Sequence, residues 1–512
     1  MSGSVWVWTG THAREKEPEG PSRGRTGESA GSARHGEGAW WSKVDGVRLL
    51  ERRPAELGED DAVLALGSWP QARAGTGQAA ERRQPWVWNA GADRVAELGP
   101  AEIARRLRRE GFAAELSAAG PGSGKRRVSG KGGGAPGAAN VADAGDPNWR
   151  GHVEISVAVF GLEAVEIVPA PSGFARPESL ARRLSRASAR ALLALGLDLG
   201  TVRWRVGGGG RRGTIVGLTP KLRIRTEEGE RRLREAAASF AAGWRDELGG
   251  YGPDVTVGAD AEFVLVSPSG KVVPASRFFS PRAAAGSDSA LIGGVLRWPL
   301  AELRPAPSRE PRAVAVRLRG LLAAAARRAA SEPQLRWLAG ASPVRGLPLG
   351  GHLHISGALL TGERLRALDN AVALPLRLLE PPGAAGRRPR YGALGDFRPK
   401  PHGGFEYRTP PSWLVSPLLA RGALALAKVA AEHARELAAS RPLDDDGMRD
   451  AFYGGDRDRL LEGVRRVHEA LRRTAGYAEY RREIEPVFRA IEQGWRWDET
   501  RDIRRAWRIA PY

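Results

Sequence analysis

The chain has 512 residues, 42% hydrophobic and 27% charged, with a formal net charge of +20 and no cysteine. That length predicts two or three domains, and the lack of thiols excludes disulfides, zinc–thiolate centres, iron–sulfur clusters and cysteine nucleophiles. The positive charge is carried almost wholly by Arg scattered through an Ala- and Gly-rich chain, so nucleic acid is not expected as the primary partner.

Residues 1–10 (MSGSVWVWTG) lack the basic and long apolar segments of a signal peptide. No run reaches the ~18–20 apolar residues of a membrane span, and even 417–430 is broken by Arg421 and Lys428. A soluble cytoplasmic protein is expected. Residues 1–84 hold short apolar islands, Val5–Trp8 and 63–69, in a low-complexity Gly/Glu/Arg-rich background that predicts short strands with much mobile chain between them. Trp86–Trp88 echoes the first island but is too short to read as a repeat. Pro100–Arg109 predicts a helix, with Pro in its first turn, Ile103 and Leu107 four apart, and Gly111 as its stop.

Residues 117–148 have linker composition, and GSGK at 122–125 within them lacks the remaining residues of a phosphate loop. From 149 to 250 the pattern is that of a small α+β domain. It has strands at 153–159 and 162–168, a hairpin-like pair at 202–206 and 214–218, and helices at 177–195 and 228–248. From 251 to 440, strand-like segments at 255–266, 300–303, 351–356 and 404–409 alternate with helices at 311–330, 361–380 and 415–438. This predicts an α+β fold with a largely antiparallel sheet. Residues 441–512 read as helical, with Trp495, Trp497 and Trp507 expected in the core together with Trp413. The expected domains are therefore 1–116, a linker at 117–148, 149–250, a core at 251–440 and a helical segment at 441–512.

Residues two apart on a strand share a face, and four strand-like segments carry polar pairs at that spacing. They are Asp260 and Glu262 in GADAEF, Glu302 and Arg304 in ELRPAPS, His352 and His354 in GGHLH, and Glu406 and Arg408 in GGFEYR. The alternate positions are apolar or small, so one face is expected to pack on helices while the other gathers carboxylates, imidazoles and guanidiniums. Such a face is costly to bury unless cations and phosphate neutralise it. Carboxylates with imidazole and no thiolate suit Mg2+ or Mn2+, and the interleaved Arg residues suit phosphate oxygens. Taken singly, each pair is more often an ordinary solvated strand pair.

The order GADAEF, ELRPAPS, GGHLH and YGALGDFRPKPHGGFEYRTPPSW, over roughly 254–440, resembles the predicted COOH–NH2 ligase family of phages and bacteria (amidoligase type 2). That family falls within the glutamine synthetase and glutamate–cysteine ligase superfamily. The resemblance implies a glutamine-synthetase-like catalytic domain whose polar sheet face is the active site. The implied reaction joins a carboxylate to an amine with ATP, through an acyl phosphate, on a small-molecule, peptide or amino-acid-like substrate. By position, Glu262, Glu302, His354 and Glu406 correspond to metal ligands, with Asp260 in support. Arg304 and Arg408 correspond to catalytic contacts, and Arg398 with Arg408 to nucleotide-phosphate contacts.

Whether His352 or His354 is the metal ligand stays open, as does the oligomeric state. Ala261 stands where the family usually has Pro, and Gly293 and Gly294 stand where it often has Asp-Gly, with Asp288 further upstream. Two other readings remain: a phosphotransferase of the same fold, and a degenerate binding or scaffold protein with a basic amino-terminal region.

Overall fold

A computed structural model describes residues 3–9, 41–50, 57–67, 69, 85–117, 152–249 and 252–510. The expected linker at 117–148 lies outside the described residues except for residue 117. The contacts divide the chain into two units. One comprises Met1–Ala90, Arg109–Gly111 and Arg234–Tyr512; the other comprises Gly91–Arg108 and Phe112–Leu233.

The amino-terminal islands form a sheet of their own. β1 (Val5–Trp8), β2 (Val47–Leu50), β3 (Ala62–Ala65) and β4 (Trp86–Trp88) pair in the order β2-β1-β3-β4, all parallel. Val63 and Leu64 are fully buried, as the centre of a parallel sheet requires. The two Trp-rich islands, unrelated in the sequence reading, thus belong to one sheet. Trp86 and Trp88 pack against Phe240, at ring distances of 5.5 and 4.5 Å.

Two helices follow where one was expected, α1 (Ala92–Glu97) and α2 (Pro100–Arg109). In the second unit β5 (Val153–Phe160), β6 (Glu163–Val168), β7 (Leu199–Gly207) and β8 (Arg212–Thr219) make an antiparallel sheet in the order β6-β5-β7-β8. Helix α3 (Pro177–Ala194) covers it, and Trp204 donates to the buried Ser188 hydroxyl at 2.8 Å. Buried Glu166 accepts from the backbone N–H groups of Arg225 and Thr226, just before α4 (Glu227–Gly249) begins.

The sheet that positions the site is built from β9 (Thr256–Val266), β10 (Val272–Val273), β11 (Ala285–Ile292), β12 (Val295–Leu303), β13 (Arg336–Leu338), β14 (Gly351–Ser356), β15 (Phe397–Pro399) and β16 (Phe405–Tyr407). Its order is β11-β12-β9-β14-β16-β15, with β10 and β13 also pairing with β9, and every pairing is antiparallel. The fold is α+β with an antiparallel sheet, as the alternation of polar and apolar residues predicts.

Around this sheet lie α5 (Pro311–Arg328), α6 (Gly362–Leu368), α7 (Leu374–Leu379), α8 (Pro417–Glu432), α9 (Asp446–Gly454), α10 (Arg457–Leu471), α11 (Ala475–Glu492) and α12 (Ile503–Ala506). A π-helical turn, Asp369–Ala373, joins α6 to α7. The apolar face of the sheet, including Ala259, Ala261, Phe263, Leu353, Ile355, Phe405 and Tyr407, is at most 2% exposed. Helix α8 packs on β9 and β14, and α5 on β9 and β12. The Ser416 hydroxyl caps helix α8, which is almost wholly buried because α11 covers its far side. Gly422 permits that approach: a Cβ there would come within 2.2 Å of Val487 Cγ2. Trp413, Trp497 and Trp507 are in the core, but Trp495 is 42% exposed, contrary to the expectation for that residue. None of the described helices is long and apolar enough to cross a membrane.

Candidate active site

The strand register brings the polar pairs together. Glu302 on β12 lies directly opposite Glu262 on β9. His352 on β14 lies opposite Asp260, and His354 opposite Glu406 on β16. Arg398 on β15 lies opposite Glu406 from the other side. Like charges directly opposed across a ladder are destabilising, so the Glu262–Glu302 pair is not explained by sheet stability.

Seven side chains on this face form three overlapping groups whose potential ligand atoms lie within 4.8 Å of one another: Glu262, Asp288 and Glu302; Asp260, Glu302 and His352; and Asp260, His354 and Glu406. The sequence-predicted Glu262, Glu302, His354 and Glu406 are therefore split between two groups, which the third links through Asp260 and Glu302. Both histidines take part. The His354 ring lies 2.9 Å from Asp260 Oδ2, and His352 Nδ1 lies 3.2 Å from Glu406 Oε1.

The two ends of the face differ in electrostatics. At the β11–β12–β9 end, burial pushes Glu262 up to about 7, aided by the charge of Asp288, while the Gly350 N–H donating at 2.6 Å pulls the other way. Glu302 is pushed up to about 8, by burial and then by Asp260, against the ion pair it makes with Arg304. At both carboxylates burial outweighs the groups that favour the charged form.

At the β14–β16–β15 end the balance reverses. Burial works to raise Glu406, but His352, Lys400 (2.9 Å), Arg398 (3.3 Å) and Arg408 (3.3 Å) hold it below the usual carboxylate range. Burial likewise opposes ionisation of Asp260, yet the hydrogen bond and charge of His354 hold it low. His352 is pushed down to about 3 by burial and by Arg408, against the nearby Glu406 and Asp260.

Glycine makes room for this arrangement. A Cβ on Gly350 would lie 2.3 Å from His352 Nε2, and one on Gly351 would lie 2.3 Å from the Pro411 carbonyl. Trp413 donates to the Gly351 carbonyl at 2.9 Å and fixes the start of β14.

Arg304 is placed differently from a free phosphate contact. Its Nη1 donates to the Pro281 and Ala283 carbonyls at 3.0 Å each, and its Nη2 pairs with Glu302, so it ties the 281–284 loop to the acidic end. Arg398, Lys400 and Arg408 keep side-chain exposures of 42%, 20% and 31%, so a ligand can reach them.

Three residues of this neighbourhood were given no ligand or contact role from the sequence. Asp288 enters through the β11–β12 hairpin, where it pairs with Leu300. The hairpin turns at Gly293 and Gly294, both with positive φ, and such a Gly-Gly pair between strands was the available signal. Lys400 lies two residues after Arg398 and shares its face, a spacing that could have found it. Arg387, in the turn before β15, gave no signal. It is buried, its Nε and Nη1 find no hydrogen-bond acceptor among the described residues, and its charge bears on Glu262. Burial and neighbouring Arg388 push it down to about 10.

No curated protein matches the chain significantly. A solved structure described as a GmaS/ADP complex is similar at 13% identity with a TM-score of 0.27, covering 55% of this chain and 78% of that one. Residues 257–509 match the model of the phage phiEco32-like COOH.NH2 ligase-type 2 family, so this segment is similar to that family along just under half of the chain.

Proposed function

We propose that the polar face binds ATP with two divalent cations and that the protein is an ATP-dependent carboxylate–amine ligase. The observation that carries this reading is the gathering of Asp260, Glu262, Asp288, Glu302, His352, His354 and Glu406 beside three partly exposed cationic side chains. The residues fit Mg2+ or Mn2+. The donors are oxygen and imidazole nitrogen, and Glu262 and Glu302 are raised chiefly by burial, which outweighs the opposing Gly350 N–H and Arg304. Glu262, Asp288 and Glu302 would hold one cation, and Asp260, His354 and Glu406 the other, with His352 alongside. Bound there, the cations would neutralise phosphate oxygens and polarise the transferring phosphorus.

The chain's own side chains serve the remaining steps of an acyl-phosphate route. Arg398, Lys400 and Arg408 steady the triphosphate and the charge that develops on it. A substrate carboxylate oxygen attacks the γ-phosphorus, the bond to the β-phosphate bridging oxygen breaks, and ADP leaves. An amine nitrogen then attacks the acyl carbon, the carbon–oxygen bond to phosphate breaks, and the nitrogen gives up a proton, leaving an amide and inorganic phosphate. Arg304 positions Glu302 and the 281–284 loop at the edge of the site.

The test is ADP release by the purified chain with Mg·ATP, a panel of amino acids and peptides as carboxylates, and added amines. Release that needs both carboxylate and amine supports ligation. Release independent of amine points to a phosphotransferase, and no nucleotide turnover or binding points to a degenerate binding module.

A further inference from the structure

Outside the polar face, three arginines line a cavity of about 160 Å³. It is lined by Arg377 of α7, Arg457 at the start of α10, Arg496 after α11, Glu380 and the Gly454–Gly455 turn. None of these residues belongs to the strands that build the ligase site. Glu380, the one carboxylate in the lining, is fully buried and already held by Arg388 through bonds of 2.8 and 2.5 Å.

The lining guanidiniums are tethered mainly by neutral groups. Arg377 Nε donates to the Phe452 carbonyl at 3.0 Å, and its Nη1 reaches Glu380 at 3.4 Å. Arg457 donates to the carbonyls of Leu378 at 2.9 Å and Ile491 at 3.3 Å. Among the described residues, Arg377 Nη2 makes no hydrogen bond and Arg496 pairs with no carboxylate. Of these guanidiniums and Arg388, only Arg377 and Arg388 pair with Glu380 among the described residues.

Arg377 is only 5% exposed by side chain, yet Gly455, at φ +84°, passes close over it. A Cβ at Gly455 would lie 2.6 Å from Arg377 Nη2. Burial and the nearby Arg388 and Arg496 also work against the Arg377 charge, which a bound anion would relieve. At about 30 Å³ of liquid volume per water, the cavity has room for a tetrahedral oxyanion with a water or two, but not for a nucleoside.

We propose that this cavity is a second anion site, separate from the ligase face, that binds a phosphate group. Arginine forks match phosphate oxygens, and carbonyl-anchored guanidiniums are pre-organised for them. The phosphate is either free inorganic phosphate or the terminal group of a small phosphomonoester.

The test is calorimetric titration of the full chain with inorganic phosphate and with glycerol phosphate. It is run on the parent, on Arg496→Gln, on Arg457→Gln, and on Arg398→Gln/Arg408→Gln, in which phosphate binding at the ligase face is weakened. Arg496 makes no hydrogen bond among the described residues, so its replacement leaves the fold intact. Millimolar or tighter phosphate binding is expected in the parent and in Arg398→Gln/Arg408→Gln, weakened at least fivefold by Arg496→Gln and by Arg457→Gln. Binding of both probes assigns the phosphomonoester class, and binding of inorganic phosphate alone assigns free phosphate. Absence of binding, unchanged affinity in Arg496→Gln, or loss confined to Arg398→Gln/Arg408→Gln would overturn the proposal.

Discussion

Replacing Glu262 with Gln removes one negative charge from the acidic end of the sheet without changing side-chain volume or the acceptor that Gly350 N–H uses. Glu262 is 5% exposed and pushed from 4.5 up to about 7. At ~1.36 kcal/mol per unit, the ionised side chain destabilises the metal-free fold by at most about 3 kcal/mol. Because its folded pKa lies above the unfolded value, this penalty is absent below the unfolded pKa, grows as pH rises, and is complete above pH 7.

The metal-free Glu262→Gln variant should therefore be more stable than the parent at pH 8, by roughly 1–3 kcal/mol, or ~2–8 °C in Tm. The two should converge near pH 4. Millimolar Mg2+ should reverse the order, since a ligand at a hundred times its Kd stabilises the parent by ~2.7 kcal/mol. Thermal unfolding with and without Mg2+ at pH 4, 6 and 8 reads both effects. A variant less stable than the parent at pH 8, or one that Mg2+ stabilises equally, would refute the reasoning.

Glu406→Gln should behave oppositely: it leaves Arg398, Lys400 and Arg408 without their shared carboxylate, so metal-free stability should fall by ~1–3 kcal/mol while Mg·ATP turnover is lost. Denaturant titration together with an ADP-release assay checks both. Asp369, pushed up to about 7 by burial, accepts from Gly395 N–H and the Tyr407 hydroxyl. Its folded pKa is raised, so its contribution is fully present below pH ~4 and is lost as pH rises through 7. Asp369→Asn should flatten that part of the parent's pH–stability curve by roughly 2–4 kcal/mol. Arg388→Met strips buried Glu380 of its two strongest bonds and should destabilise by ~3–5 kcal/mol in denaturant titration.

The site was legible where strand period carried it. Alternation placed Asp260, Glu262, His352, His354 and Glu406 on one face, and the antiparallel sheet then grouped Asp260 with Glu406, 146 positions apart. What period 2 cannot show is which strands are neighbours. Asp288 was missed because only 300–303 of the β11–β12 hairpin read as strand, and the exposed apolar tip at Leu291 and Leu296 hides the alternation. Arg387 lies in an irregular turn, where no periodicity marks a buried charge. The parallel amino-terminal sheet was illegible for another reason. Its strands of three or four residues are separated by long polar stretches, and parallel partners leave no local turn signature.

Titration of the purified chain with Mn2+ in the presence of a non-hydrolysable ATP analogue, with free ion counted by electron paramagnetic resonance, addresses the polar face directly. About two ions should bind per chain, with one lost or weakened at least tenfold in Glu262→Gln and the other in Glu406→Gln. Binding of the same number of ions with the same affinity by the parent and both variants would contradict the assignment of this face as the metal–nucleotide site.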